Sequence, residues 1–389
     1  MSNKQIMQTM FALCTAALLT AGCSNEAPDG DYGNSKDASV VFNLGLPQGD
    51  EVQFTRADAP LMQDESERTV NSLKVYDFKK NDANVMVLAN VYTLKQAEAT
   101  DQLASGSYAP TATTAQYQVR ISIPGSIGEV HQFAFLANDG CTAFEDAMVV
   151  GTTTLNTFRR SVADKMMSNN STTADFLGTV NGLAMTGITD EITLKAGENT
   201  QQNAISLTRL VARFDAEVYV SEQRNFELIS LQLKNAALNG YLFDKDMDGG
   251  RTASIWDYVT PAPLTLGQNP VFTTTGYNST LPDANRATIS DNGRPGVWYK
   301  KVFYAYEYLA TRGGTSTPSP SLLVGYKLNG APNTVEIKLV DGTNNKRFDI
   351  LRNYIYTLQI GDTKEQGQEL AFSIKVSDWE YNEINSNLE

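Results

Sequence analysis

SVVFNLGL, residues Ser39–Leu46, decides the fold class. Val40, Phe42, Leu44 and Leu46 alternate with Val41, Asn43 and Gly45. A period of two puts the four large apolar side chains on one face of a strand. Downstream the chain turns at Pro47, Gly49 and Asp50 and reaches Val52, Phe54 and Arg56. It then runs through 57–69 (ADAPLMQDESERT), which is polar and acidic with no core-facing pattern. A well-formed strand is thus set apart from the rest of the chain by an exposed, arginine-containing segment.

Working outward toward the N-terminus, 24–37 (SNEAPDGDYGNSKD) reads as a flexible linker. Before it lies an export signal. Lys4 supplies positive charge, Met10 to Ala21 an apolar run too short for a permanent span, and Ala21 and Gly22 lead into Cys23. A thiol at that junction is a site for diacylglycerol, so Cys23 is the expected lipid attachment and the membrane the expected first anchor. The pattern departs from the usual lipobox in having Thr20 where a large aliphatic residue is common. Of three cysteines only Cys141 falls within the folded body, so no internal disulfide is expected and stability must come from an apolar core.

Toward the C-terminus, strand-like runs recur at short intervals. They include Val70 to Phe78, Val85 to Tyr92, Tyr117 to Ile123 and Phe133 to Ala137, then Ile192 to Leu194 and a long run from Ile205 to Val220. In the second half come Phe226 to Leu233, Tyr241 to Phe243, Trp298 to Tyr306, Leu322 to Leu328, Val335 to Leu339, Tyr354 to Ile360 and Leu370 to Val376. Gly, Asn, Asp, Ser and Thr fill the gaps, which indicates β-sandwiches, and 389 residues suffice for two. One helix is expected over Thr154 to Met167, with Leu155, Phe158, Val162 and Met166 on one stripe and Thr154 as cap. The division expected is signal 1–23, linker with first strand 24–56, and sandwiches 57–205 and 206–389.

The order of several strings resembles the type V pilins, the fimbrillin family of major and minor fimbrial subunits. The strings are FTRADA (Phe54 to Ala59), LTRLVARFDAEV (Leu207 to Val218), LQLKNAALNGYLF (Leu231 to Phe243), FYAYE (Phe303 to Glu307), ILRNYIYTLQI (Ile350 to Ile360) and VSDW (Val376 to Trp379). The resemblance implies an all-β fold of two tandem transthyretin-like sandwiches with one or two short helices. It implies a lipidated precursor at the outer membrane and an Arg-specific maturation protease cutting between Arg56 and Ala57, with Arg68 as runner-up. It implies that the strand carrying Val40, Phe42, Leu44 and Leu46 is displaced, and that assembly with other fimbrial subunits into a surface fimbrium proceeds by donor-strand exchange. The matching donor segment begins at Trp379, but Tyr381, Ile384 and Leu388 do not share one face, so stalk, tip and anchor positions all stay open.

Other chemistry finds little footing. A net charge of −13 argues against nucleic acid. His131 is the single histidine and carries no flanking nucleophile, so a surface or strand-edge role is expected, with no cofactor and no enzyme activity. Asp244, Asp246 and Asp248 match the first half of a calcium loop, but Ile255 stands where the bidentate glutamate belongs, so an acidic turn is the better reading. The reading from a different class is a glycan-binding or glycan-cleaving surface lipoprotein that keeps its first strand and presents Trp256 and Trp298 on a platform; packing of these rings in a core is the simpler expectation.

Overall fold

Alternating apolar residues build strands from the first described position onward. The computed structural model describes residues 37–45, 67, 69–98, 103–111, 116–138, 148–159, 161–163, 182–201, 203–220, 224–234, 236–237, 240–243, 266–267, 271–273, 286–291, 294–308, 320–339, 349–362 and 370–378. All lie within one unit, Asp37–Glu389. The first strands are β1 (Ala38–Gly45), β2 (Leu73–Lys80), β3 (Met86–Gln96), β4 (Ser107–Pro110), β5 (Gln116–Ile123), β6 (Val130–Ala137) and β7 (Val162–Ala163). After them come β8 (Met185–Ile188), β9 (Ile192–Thr193), β10 (Gly197–Thr200), β11 (Ile205–Ser206) and β12 (Thr208–Arg209). The later strands are β13 (Val211–Tyr219), β14 (Phe226–Lys234), β15 (Ala236–Ala237), β16 (Gly240–Tyr241), β17 (Leu266–Gly267) and β18 (Val271–Thr273). They end with β19 (Arg286–Asp291), β20 (Arg294–Tyr306), β21 (Ser321–Leu328), β22 (Ala331–Lys338), β23 (Tyr354–Asp362) and β24 (Leu370–Asp378). The chain is all-β, with sheets that pack as sandwiches.

In the first body one sheet places β1 between β5 on one side and β10 and β11 on the other, with β4 beyond β5. The facing sheet runs β3-β2-β6-β8-β12, with β9 also on β6. The far end of β3 joins the two sheets along one rim, where Lys95 and Gln96 pair with Ser107 and Tyr108 of β4. Along the opposite rim the chain passes from β11 on β1 to β12 on β8. Gly187 lets that crossing lie close: a Cβ there would stand 2.8 Å from the Ser206 carbonyl oxygen and 3.0 Å from Leu207 Cδ2. Between the sheets Val40, Phe42, Leu44, Val75, Val119 and Phe133 are among the buried core side chains.

The second body stacks β19-β20-β13-β23-β24 against β18-β14-β21-β22. Its core includes Phe214, Leu231, Val324 and Leu358, and it runs on without a break to the outer face of β2 and β6 through Tyr76, Phe78 and Leu136. Phe158 sits at that junction, 4.5 Å from the Tyr76 ring and 5.6 Å from the Phe243 ring. Strand pairing changes body between Arg209, still on β8, and Val211, which pairs with β20. The expected run from Ile205 to Val220 is therefore three strands rather than one.

The helix is shorter than its apolar stripe predicts. α1 covers Leu155–Arg159. Its cap is as expected, with Thr157 N donating to Thr154 Oγ1 at 3.1 Å. Ser161 N then bonds back to the Phe158 carbonyl at 2.9 Å, and Val162–Ala163 extend as β7 to pair with β16. Two stripe residues, Leu155 and Phe158, face the core; strand pairing claims Val162, and Met166 lies outside the described residues.

Candidate functional site: the seat of the first strand

β1 is a central strand. Its backbone is in register with β5 from Ala38↔Ile123 to Gly45↔Gln116. On the other side it runs parallel to β10 from Ala38↔Gly197 to Val41↔Thr200, and to β11 at Leu44↔Ile205. Loop bonds extend the seam, with Gln201 N donating to the Val41 carbonyl at 2.9 Å and Leu207 N to that of Gly45 at 2.9 Å. Asn199 adds a side-chain bond, Nδ2 donating to the Ser39 carbonyl at 3.2 Å.

The inward face is apolar and shaped. Val40, Phe42 and Leu44 are each 0% exposed. The Phe42 ring meets Phe133 and Phe135 edge-on, at 5.0 Å and 5.1 Å, the geometry aromatic pairs prefer. Near Leu44, Tyr117 pairs across the sheet, and burial pushes the neighbouring Tyr108 hydroxyl up to about 12. Beyond Phe133 the floor turns polar. His131 stacks on Phe133 at 5.9 Å, with Nδ1 2.6 Å from Asp77 Oδ1 and Nε2 3.4 Å from Glu129 Oε2. The surface or strand-edge role expected for His131 is thus overturned: it is 1% exposed, pairs with Lys79 on one side and Ile192 on the other, alternates inward with Phe133 and Phe135, and finds its side-chain partner in Asp77 of β2.

A second feature lies where the chain re-enters the body after β1. Glu67, in the segment expected to be exposed, is 1% exposed. Its Oε2 accepts from Arg213 Nη1 at 3.0 Å and its Oε1 from Tyr304 Oη at 2.6 Å. Its carbonyl accepts from Arg209 Nε at 3.0 Å. Arg213 also donates to both oxygens of Asp215, at 2.8 Å and 2.6 Å, and Trp298 Nε1 reaches Asp215 Oδ2 at 3.2 Å. Burial works against the Arg213 charge, but Asp215 and Glu67 outweigh it and raise its pKa. Burial and the Glu67 charge drive the Tyr304 hydroxyl well upward, keeping it a donor. Arg213 and Asp215 share a face of β13 at two-residue spacing, so charges at alternate positions inside an apolar strand were the available signal. Nothing in the acidic run 57–69 marks Glu67 as its partner.

Leu46, Cys23, Arg56, Ala57, Arg68, Trp379, Tyr381, Ile384 and Leu388 lie outside the described residues, as do Cys141, Trp256 and the aspartates 244, 246 and 248. Trp298 is buried at 5%, packed in the core as the simpler expectation had it, and unavailable to a glycan platform. Among the described residues no group of three or more His, Cys, Asp or Glu is placed to hold a metal, and no helix is long and apolar enough to cross a membrane.

Residues 38–215 match the family model described as "Major fimbrial subunit protein (FimA)". The chain is also similar to the tip fimbrial protein Mfa3 from Porphyromonas gingivalis with C-terminal truncation, at 14% identity and TM-score 0.47, covering 88% of this chain and 100% of that one. It is similar to a fimbrilin (FimA) from Porphyromonas gingivalis W83, at 15% identity and TM-score 0.46, covering 88% and 97%. A fimbrial assembly protein from Parabacteroides distasonis gives 13% identity and TM-score 0.46, covering 88% and 98%. No curated protein matches.

Proposed function

We propose that this chain, whose residues 38–215 match the major fimbrial subunit model, is a fimbrial subunit that matures by losing β1 and polymerises by accepting a replacement. Cys23 carries the lipid that brings the precursor to the outer membrane, and an Arg-specific protease cuts after Arg56. The body beginning at Ala57 leaves the lipid behind, and a strand from another subunit enters the vacated seat. Trp379 onward, with Tyr381, Ile384 and Leu388, is the donor segment this chain offers in turn. The reading covers a structural subunit at stalk, tip or anchor position, with adhesion as its output and no enzymatic step of its own.

The central place of β1 carries the reading. Its removal unpairs β5 on one side and β10 and β11 on the other, and uncovers Phe133, Phe135, Val119 and Ile121. An incoming strand satisfies both backbone edges and the apolar face together, with alternate side chains setting its register. Before the cut, β1 belongs to the same chain and outcompetes any donor by its effective concentration; the cut removes that advantage.

Arg-specific proteolysis of the purified precursor tests this. The expected product starts at Ala57 by N-terminal sequencing and forms heat-resistant ladders with partner subunits, and Arg56→Ala gives neither. Surface material that still carries Cys23 to Arg56 and stays monomeric beside those partners overturns it. The glycan-platform alternative has lost Trp298 to the core.

A further inference from the structure

We propose that Glu67 is the anchor that makes maturation selective: it fixes the start of the retained body, so a cut on its N-terminal side is accepted and a cut after Arg68 is refused. The inference deepens the processing reading above and rests on it. Two arginines lie between β1 and β2, Arg56 and Arg68, and a protease that reads arginine alone has no reason to prefer the first.

The residues around the second site are held on both sides. On the N-terminal side Glu67 binds Arg213, Tyr304 and, through its carbonyl, Arg209. On the C-terminal side the Thr69 carbonyl accepts from Asn138 Nδ2 at 2.7 Å, and Val70 N donates to Tyr117 Oη at 3.3 Å. Asn71 N donates to Asn138 Oδ1 at 2.8 Å. Gly182 closes over this point in a left-handed conformation (φ +72°), where a Cβ would stand 2.6 Å from Asn138 Nδ2 and 2.8 Å from the Thr69 carbonyl oxygen. Val70 is itself 0% exposed. A protease must draw several residues on either side of the scissile bond into an extended strand. Doing so at Arg68–Thr69 means breaking bonds to a buried arginine and opening the body locally.

The consequences of the two cuts also differ. A cut after Arg56 leaves Glu67 on the retained chain and the ionic cage whole. A cut after Arg68 removes Glu67 from a site where Arg213 and Tyr304 are 1% and 3% exposed, which is strongly destabilising for a buried charge.

The test is a time course of Arg-specific proteolysis on the full precursor, with each new N-terminus sequenced. The wild type is expected to yield Ala57 and to hold there. Glu67→Gln, which keeps the shape but not the charge, is expected to release a product starting at Thr69 about tenfold faster or more. Asn138→Gly, which tolerates the left-handed backbone at that position (φ 55°) while deleting the Thr69 clamp, is expected to do the same. If Glu67→Gln is also cut at Arg120 and Arg209 it has unfolded, and Asn138→Gly then decides. Wild-type cleavage at Arg68 as fast as at Arg56, or two folded variants as resistant there as the wild type, overturns the proposal. Failure of the Ala57 product to polymerise bears on strand exchange alone and leaves the Arg68 comparison standing.

Discussion

Phe42 is the side chain on which the seat of β1 is moulded, since Phe133 and Phe135 close on its ring from the facing sheet. Truncation to alanine leaves a ring-sized void between them, so Phe42→Ala is expected to destabilise the precursor by about 3–5 kcal/mol, read from urea unfolding. The same change should leave the Ala57 product untouched, because that product no longer contains the residue. Glu217 on β13 gives a pH-dependent counterpart. Burial lifts its carboxyl above the ordinary glutamate value, with Gln359, Lys375 and Tyr219 pulling the other way. A raised folded-state pKa favours folding fully below the unfolded value and loses that contribution as pH rises through the folded one. Glu217→Gln should therefore match the wild type in urea midpoint near pH 4 and exceed it near pH 7. The opposite trend would mean that the bonds from Gln359 and Tyr219 dominate.

At the scale of elements, the strands that alternate cleanly were legible. Tyr117 to Ile123 and Tyr354 to Ile360 fall inside β5 and β23, because pleat and sequence share a period of two. The helix was not, since Val162 fits a helical stripe and a strand equally well, and pairing with β16 some eighty residues away decided it. Four of the six strings behind the resemblance meet in a polar joint. Arg352 reaches Glu307 at 3.2 Å and the Leu242 carbonyl at 3.0 Å, and Asn353 accepts from Arg209 at 2.9 Å. Such partners are distant in sequence, which is why the strings look weak singly. Of the seat, the face of Val40, Phe42 and Leu44 was readable in advance. Its polar floor at His131 was not, because that depends on Asp77 from another strand. The seat's two walls also differ. β5 keeps β4 as a neighbour when β1 leaves, whereas among the described residues β10 and β11 pair with β1 alone. Hydrogen exchange on the Ala57 product should show amide protection lost first over 197–206 and retained over 116–123; uniform loss would mean the whole sheet dissolves.

The whole molecule joins its two bodies through one continuous core at Tyr76, Phe78, Leu136 and Phe158. Burial that continuous couples their unfolding, so calorimetry of the precursor is expected to show a single transition. Phe158→Ala should lower it by roughly 4–7 °C, the shift implied by about 3–5 kcal/mol against the unfolding entropy of a single cooperative unit of this length. Two resolved peaks in the wild type would show that each body melts alone.

The rims described for the first body have a bearing on timing. One rim is sewn by β3 into β4 and survives the loss of β1, and the other hangs on the departing strand itself. On the maturation proposed above, a newly trimmed subunit would be half-braced, with a firm side to receive a guest and a slack side that frays while it waits. Under that proposal, cutting far from any donor would waste the molecule, and the protease would work best beside the growing fibre end.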